Sequence, residues 1–211
     1  CSKLTLFIKR PINSGVYVFT YRISSKGFNM KLGILAAGIT PDELIGEHGS
    51  YADMIIQLLE NTQSDYSFEV FDVRENHFPD DITQCDAWLI SGSKFNAYDR
   101  EPWMLKLREM VLEIHEAKQA LIGICFGHQI IAKEMGGKIK NSKCREFGLA
   151  AVKRKKKSLL VKNFFNRSNS SNVWMSHADH VSRLPKNFKL IGSSKNSKFT
   201  IIENINKKFY G

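Results

Sequence analysis

The chain has 211 residues and a mass of 24.1 kDa, enough for one sizeable domain with its own hydrophobic core. Its apolar share of 43% and charged share of 25% are ordinary for a globular protein, and no apolar run reaches the roughly 18 residues that cross a bilayer. The four cysteines lie far apart without a Cys-x-x-Cys pair, which argues against a disulfide framework or a zinc site and favours a reducing, cytoplasmic location.

The net charge of +10 is distributed very unevenly along the chain. Residues 30–137 carry eight Lys/Arg and eighteen Asp/Glu, whereas residues 138–211 carry eighteen Lys/Arg and three Asp/Glu. The densest basic run, KRKKK at 153–157, is compatible with a nucleic-acid or acidic-partner surface or with a solvated hairpin. The hairpin is favoured because no aromatic residue is interleaved in the run to stack on bases, so neither nucleic acid nor a membrane is an expected partner.

Residues 1–29 form an N-terminal extension whose role the sequence does not define. The segment is basic and partly apolar, but Pro11 interrupts it and no small-residue cleavage site follows, so it is not a signal peptide. Pro11 and Gly15 indicate loose structure. From Met30 onward the pattern changes, and residues 30–211 are predicted to form one domain.

The domain begins with alternating strands and helices. Continuous apolar runs predict buried strands at 31–37, 68–73, 87–90 and 120–124. Helices are predicted after a Ser50 cap, from Pro102 onward, and from Phe126 to a stop at Gly136. Their apolar faces are Tyr51, Met54, Ile55, Leu58 and Leu59 in the first helix and Trp103, Leu107, Met110, Val111 and Ile114 in the second.

The alternation predicts an α/β fold, a flavodoxin-like three-layer sandwich with a mostly parallel sheet. Beyond residue 138 the helical pattern gives way to short predicted strands at 148–152, 158–161, 172–176, 189–194 and 199–204. We therefore expect a small antiparallel addition in the second half, after which the chain returns to the main sheet.

The segment GICFG places Cys125 between a predicted buried strand and a predicted helix. Gly-x-Cys-x-Gly has the layout of a nucleophile elbow, a sharp strand-to-helix turn that projects a reactive side chain at the carboxyl edge of the sheet. A helix N-terminus also favours the thiolate. A lone cysteine is more often a buried core residue, but this spacing favours a nucleophile. Cys85 and Cys144 lack such a setting and are interpreted as structural.

Three segments in order resemble the class I, triad-type, glutamine amidotransferases, and most closely their stand-alone GMP-synthase-like branch. They are LISGSKFNAYDREPW at 89–103, GICFGHQIIAKEMGG at 123–137 and VWMSHADHV at 173–181. The likeness covers residues 30–211. It implies a glutaminase that attacks the glutamine carboxamide with Cys125, forms a γ-glutamyl thioester and releases ammonia, with no cofactor and no metal.

The resemblance also assigns roles to individual residues. It implies backbone oxyanion donors at Phe126 and in the Gly92–Ser93 turn, where the family usually has Gly-Gly before a proline. Gln129 would help to hold the substrate, although a surface amide is the alternative. Contacts to the amino-acid end of glutamine would come from the four residues of the SHAD segment, namely Ser176, His177, Ala178 and Asp179.

The family's general base and its carboxylate partner have no counterpart among the recognised motifs. In the family they form a His-Pro-Glu stretch after a late strand, and this chain ends at FYG, where that stretch is expected to begin. None of the six histidines is in a suitable position: His128 projects wrongly from the nucleophile helix, His115 packs behind the sheet, and His48 and His77 lie in loops. The base is therefore expected beyond residue 211, and the chain alone is expected to show little or no glutaminase turnover.

Three functions remain open at this stage. The first is a glutaminase that supplies ammonia to a synthetase partner, with GMP synthesis as the suggested case. The second is a γ-glutamyl hydrolase or transferase that acts on another γ-glutamyl amide. The third is a non-catalytic relative that binds a ligand or a partner. The chain has no ATP-binding signature, so a synthetase would have to lie on another chain or domain.

Overall fold

The computed structural model describes residues 4–7, 20–23, 29–62, 65–165 and 167–211. Within the first 29 residues, β1 (Leu4–Phe7) and β2 (Thr20–Ile23) form an antiparallel pair of their own. The prediction of loose structure at Pro11 and Gly15 lies outside the described residues. No helix in the described part of the chain is long and apolar enough to cross a membrane.

The described residues from 29 onward build one nine-stranded sheet with the order β4-β3-β5-β6-β11-β10-β9-β7-β8. The strands are β3 (Met30–Ala36), β4 (Tyr66–Asp72), β5 (Ala87–Ile90), β6 (Ala120–Gly123), β7 (Lys138–Arg154), β8 (Ser170–Arg183), β9 (Lys189–Ser193), β10 (Ile201–Asn204) and β11 (Phe209–Tyr210). The first five in spatial order are parallel, and β10, β9, β7 and β8 continue the sheet through antiparallel pairs. The predicted α/β fold with a mostly parallel sheet and an antiparallel second half is confirmed.

Four helices accompany the sheet: α1 (Asp42–His48), α2 (Tyr51–Glu60), α3 (Pro102–Glu116) and α4 (Phe126–Glu134). Ser50 caps α2 as predicted, in a capping box with Asp53. Pro102 opens α3, where its missing N–H leaves no hydrogen bond unmade. All five apolar residues predicted for the inner face of α3 are buried, whereas Tyr51 of α2 is exposed because α2 turns Ala52, Ile55 and Leu59 toward the sheet.

The hydrophobic core lies on both faces of the parallel strands, which gives the three-layer arrangement. Ile34 and Leu89 belong to a cluster with α2, and Leu35 and Trp88 belong to a larger cluster with α3 and α4. Trp88 fits only because its neighbour on β3 is Gly33, where a Cβ atom would come within 2.2 Å of the indole ring. The indole N–H donates to the Gln119 side chain at 2.8 Å, so this large buried ring leaves no polar atom unpaired.

Two expectations for the second half are corrected by the structure. The segment 158–161 is not a strand: Leu159–Val161 forms a short 3₁₀ turn, capped by the Ser158 hydroxyl, which accepts from the Leu160 N–H at 3.1 Å. The segments 148–152 and 172–176 are not separate short strands but the middle of β7 and β8, which pair over most of their length as one long ribbon. The predicted return to the main sheet is confirmed, since β11 pairs in parallel with β6.

Candidate active site

Cys125 occupies a strained turn between β6 and α4. Its φ of 52° and ψ of −104° are a conformation that residues other than glycine rarely adopt. The flanking glycines allow the turn to close, because a Cβ at Gly123 would lie 2.3 Å from the Gly127 carbonyl carbon and a Cβ at Gly127 would lie 2.5 Å from the Ile90 oxygen. The close approach of three backbone segments therefore explains the Gly-x-Cys-x-Gly spacing.

The turn after β5 lies directly beside the cysteine. A Cβ atom at Gly92 would lie 3.6 Å from the Cβ of Cys125. Ser91 holds this turn in place, because its hydroxyl accepts from the Ala37 N–H at 2.9 Å and donates to the Gly92 carbonyl at 3.0 Å. The predicted oxyanion residues Gly92 and Ser93 thus adjoin the nucleophile turn. Ser91 was not recognised from sequence, and its only signal is a small polar residue directly after four buried apolar ones.

The loop that follows Ser93 is fastened to the two helices behind it. The Arg108 guanidinium donates to the carbonyls of Ala97 at 2.6 Å and Asp99 at 2.9 Å, and Lys133 of α4 donates to Ala97 at 3.1 Å. Ring contacts also connect the loop to the start of α4, because Trp103 lies 5.5 Å from the Phe95 ring and 5.9 Å from the Phe126 ring. These contacts fix the position of the turn relative to Cys125.

The Cys125 thiol is reachable from solvent, yet protein atoms surround it on most sides. This crowding raises the pKa of the thiol, and the neighbouring Phe126 N–H opposes the shift without cancelling it. Phe126 is the first residue of α4, where backbone N–H groups have no acceptor within the helix. The helix N-terminus was expected to favour the thiolate, and the Phe126 N–H does act in that direction, but desolvation raises the pKa of Cys125 and is the larger of the two effects.

The SHAD segment, residues 176–179 of β8, passes directly over the nucleophile. The Cys125 thiol donates to the Ser176 carbonyl with an Sγ to oxygen distance of 3.9 Å. Gln129, one helical turn after Cys125, is buried rather than on the helix surface, and its amide donates to the Asp179 carbonyl at 3.0 Å. Asp179 is itself buried, accepts from the Asn141 amide at 3.0 Å, and has its pKa raised chiefly by that burial. Gln129 thus positions the segment.

His177 has a carboxylate partner that sequence reasoning missed. Its Nε2 lies 3.3 Å from Oε2 of buried Glu146, directly across the β7–β8 ladder, and the Ser194 hydroxyl donates to the same oxygen at 2.9 Å. His177 Nδ1 and His128 Nε2 are both buried without a hydrogen-bond partner in the described part of the chain. Burial, followed by repulsion from His177, lowers the pKa of His128 to about 4, so that ring is neutral at pH 7.

The remaining predicted residues lie as follows. Ala178 is half-buried in the same segment. His48 and His77 are exposed, and His115 packs edge-on against Phe209 at 5.4 Å. Among the described residues, no histidine nitrogen hydrogen-bonds to Cys125 Sγ. Cys85 is buried, donates to Glu69 at 3.8 Å and has its pKa raised by desolvation to about 11, as suits a structural thiol.

The structure therefore brings together an accessible thiol, the Gly92–Ser93 turn beside it, and the polar SHAD segment. The arrangement suits acyl transfer through a covalent thioester, with backbone N–H groups stabilising the oxyanion. Among the described residues the hydrogen-bond acceptor of the thiol is the Ser176 carbonyl, and no histidine or carboxylate is hydrogen-bonded to the sulfur.

Comparison with known proteins identifies the family. The family model for class I glutamine amidotransferases matches residues 44–211, and the chain belongs to this family. A GMP synthase (glutamine-hydrolyzing) of Wigglesworthia glossinidia brevipalpis is 37% identical over 130 residues, 58% of this chain and 24% of that protein. Gamma-glutamyl peptidase 4 of Arabidopsis thaliana is 33% identical over 164 residues, 74% of this chain and 64% of that protein. The chain thus spans about a quarter of the length of the GMP synthases it matches.

Solved structures confirm the fold. A glutamine amidotransferase from Thermotoga maritima superposes with a TM-score of 0.68 at 18% identity, covering 87% of this chain and 74% of that one. A glutamine amido transferase from Methylobacillus flagellatus gives a TM-score of 0.60 at 19% identity, with 83% and 65% covered. At these identities the similarity concerns the architecture of the three-layer sandwich.

Proposed function

We propose that this class I amidotransferase domain hydrolyses the side-chain amide of glutamine through Cys125 and supplies the ammonia to a synthetase of the GMP-forming type. The observation that carries the proposal is the Cys125 turn, held in a rare backbone conformation beside the Gly92–Ser93 turn. A merely structural cysteine does not require three backbone segments to converge around it. The reducing cytoplasm predicted from the cysteine pattern would keep this thiol available.

In the proposed reaction, the Cys125 sulfur attacks the carboxamide carbon of glutamine. The tetrahedral oxyanion accepts hydrogen bonds from the N–H groups of Phe126 and Ser93, and the loss of one such donor typically costs about 10²–10³ in rate. The amide nitrogen then takes up the proton that the thiol has lost, the C–N bond breaks, ammonia leaves, and a γ-glutamyl thioester remains on Cys125. Water attacks the thioester carbon, the C–S bond breaks, and glutamate and the free thiol are released.

The SHAD segment would bind the amino-acid end of the substrate. Ser176 already contacts the thiol through its carbonyl, and Gln129 fixes the segment from below through Asp179. His177 and Ala178 lie between these two anchored residues, so their positions beside Cys125 are constrained from both sides. We propose that the α-amino and α-carboxylate groups of glutamine bind to backbone and polar groups of Ser176, His177, Ala178 and Asp179.

The proton of the thiol requires an acceptor, because burial raises the pKa of Cys125. In the family that this chain resembles, the acceptor is a histidine that follows a late strand. The carboxyl end of β11 is the matching edge of this sheet, since β11 is parallel to β6 and a Cβ at Gly211 would lie 3.1 Å from the His128 ring carbon. His128 lies in the first turn of α4, three residues after Cys125, so this edge borders the helix that follows the thiol.

The test is covalent trapping followed by turnover. The chloroketone analogue of glutamine should modify Cys125, as located by peptide mass spectrometry, and Cys125→Ser should abolish the modification, while Cys85→Ser should leave it unchanged. Because no histidine nitrogen hydrogen-bonds to the sulfur among the described residues, ammonia release from glutamine by these 211 residues should be slow or absent, and steady turnover would show that a base exists within them. Modification of Cys85 or Cys144 in place of Cys125 would overturn the nucleophile assignment.

A second candidate is hydrolysis of other γ-glutamyl amides, favoured by the likeness to gamma-glutamyl peptidase 4, which extends over 74% of this chain. The two functions can be distinguished without measuring turnover, because a bound substrate protects Cys125 from modification. Glutamine at millimolar concentration should slow the modification of Cys125 in the first case, and a γ-glutamyl dipeptide should do so better in the second. Protection by neither compound would favour a non-catalytic relative.

A further inference from the structure

An exposed apolar patch lies on the outer face of the β7–β8 ribbon. Phe147, Leu149 and Trp174 are 64%, 66% and 59% exposed, respectively. The ladder places Leu149 directly opposite Trp174, and Phe147 follows two residues away on the same face. The inward neighbours Val173 and Met175 pack against the core instead. Three large apolar side chains in a contiguous exposed group indicate a binding surface rather than scattered surface residues.

The patch adjoins the nucleophile. Phe147 pairs across the ladder with Ser176, and the Ser176 carbonyl is the acceptor for the Cys125 thiol at 3.9 Å. One strand therefore carries both Trp174 of the patch and the wall of the proposed substrate pocket. A partner seated on the patch would therefore lie beside the strand that contacts the Cys125 thiol.

The surroundings of the patch are strongly basic. Residues 147–176 contain seven Lys/Arg and no Asp/Glu. Lys153 lies on β7 beyond Leu149 and has its side chain exposed, and the basic run 153–157 continues from it. An apolar centre with a rim of one charge sign favours a partner whose contact surface has an apolar centre and an acidic rim.

We propose that Phe147, Leu149 and Trp174 form the docking surface for the ammonia-consuming synthetase domain, which meets them with an apolar centre surrounded by Asp and Glu side chains. The inference rests on the proposed function, because only a glutaminase has a reason to place its acceptor beside the thiol. Ammonia that escapes into water is diluted and protonated, whereas a seated partner receives it unprotonated.

Two other occupants fit the patch less well. A second copy of the chain would bring two basic rims together, and like charges across an interface oppose association. Single-stranded nucleic acid would suit the lysines and the two aromatic rings, but Leu149 at the centre has no aromatic face on which a base could stack. A protein surface with an apolar centre and an acidic rim would contact both the apolar side chains of the patch and the basic side chains around it.

Trp174 is a built-in reporter of occupancy. The other two tryptophans, Trp88 and Trp103, are 0% and 8% exposed, so a change in solvent contact alters the emission of Trp174 selectively. The probe is the synthetase domain of a GMP synthase, purified as a separate chain without its amidotransferase region. Its addition should shift the tryptophan emission to the blue with saturable dependence on concentration, and increased salt should weaken the complex.

Substitutions then test the surface itself. Leu149→Ala and Trp174→Ala should each raise the Kd, measured by calorimetry, at least about tenfold, because tryptophan is enriched among the residues that dominate interface energetics and truncation of Leu149 removes apolar area at the centre of the patch. Leu112→Ala is the matched control: Leu112 is an exposed leucine on α3, and its replacement should leave the Kd unchanged. All three variants should show the circular dichroism spectrum of the parent chain.

The outcomes separate this inference from the proposed function. Leu149→Ala should label at Cys125 with the glutamine chloroketone at the parent rate, since Leu149 pairs across the ladder with Trp174 and not with a residue of the SHAD segment. Absence of Cys125 labelling in the parent chain would refute the glutaminase and leave the binding result standing by itself. Three results would each overturn the docking proposal. The first is an unchanged Kd in both patch variants, and the second is a Trp174-dependent homodimer in sedimentation. The third is displacement of the synthetase domain from the patch by a single-stranded oligonucleotide.

Discussion

Replacing Gly127 with alanine tests whether close backbone approach builds the nucleophile turn. A Cβ at this position would lie 2.5 Å from the Ile90 carbonyl oxygen and 2.8 Å from its Cβ, and both atoms belong to the central strand β5. Because the distance to the oxygen must open from 2.5 Å to at least 3.0 Å, α4 has to move about 0.5 Å away from β5. Ile90 lies two residues before Gly92, so the same movement separates Cys125 from the oxyanion turn.

The magnitude follows from these contacts. Overpacking of this kind costs about 1–3 kcal/mol of stability, which lowers the Tm by about 2–4 °C per kcal/mol in a chain of this size. A misplacement of about 1 Å in an active site can cost about 100-fold in rate, so a shift of half that size should slow acylation of Cys125 by about 10-fold. The assays are thermal unfolding by circular dichroism and the second-order rate of Cys125 labelling by the glutamine chloroketone.

Gly46→Ala is the matched control for this experiment. Gly46 lies within α1, has no atom within 4 Å of an added Cβ, and needs no unusual backbone angle. Alanine there should leave labelling unchanged and raise stability slightly, by up to about 1 kcal/mol, as expected for Gly-to-Ala in a helix. A Gly127→Ala variant with the parent Tm and the parent labelling rate would refute the argument that convergence of backbones positions Cys125.

Three further predictions concern the groups around the thiol. Alkylation of Cys125 by iodoacetamide should keep rising with pH from pH 7 to 9, since desolvation raises its pKa and keeps the thiolate scarce there; a plateau already reached at pH 7 would contradict this. Ser91→Ala should lower the unfolding free energy in urea by about 1–3 kcal/mol because the Ala37 N–H loses its acceptor, whereas an unchanged value would mean that water replaces the hydroxyl. Gln129→Ala removes the 3.0 Å hydrogen bond to the Asp179 carbonyl. The variant should lose more of the protection that glutamine gives Cys125 against labelling than it loses of the labelling rate at saturating chloroketone. Equal losses would argue against a positioning role for Gln129.

The first half of the chain could be predicted from sequence because its signals are local. Apolar runs bounded by turn residues define β3, β5 and β6, and Ser50 with Asp53 makes a capping box within four residues. The Cys125 turn was recognisable for the same reason: its glycines, its strand and its helix lie within one short segment. Steric requirements between residues that are close in the chain produce a recognisable sequence pattern, such as Gly-x-Cys-x-Gly.

The second half was harder to predict because its contacts depend on register between distant residues. Glu146 meets His177 only because β7 and β8 pair with a shift in the ladder between Asn141 and Glu146, which no local pattern specifies. One signal was nevertheless available. Residues 138–211 contain only three acids among eighteen Lys/Arg, and all three, Glu146, Asp179 and Glu203, are buried. In this basic half of the chain the three carboxylates are buried, where they pair with hydroxyl, amide and imidazole groups.

The protonation state of Cys125 shows how two correct local rules can give the wrong net result. A helix N-terminus stabilises a thiolate by about 0.3–1 kcal/mol, or up to about 2 kcal/mol where partly buried, and the Phe126 N–H does act in that direction. Desolvation of the crowded thiol raises its pKa, and this effect is larger than the opposing hydrogen bond from the Phe126 N–H. The close convergence of backbones that builds the Cys125 turn also surrounds the sulfur. The crowding that holds the thiol in place therefore also opposes its ionisation, and a neighbouring proton acceptor would offset that effect.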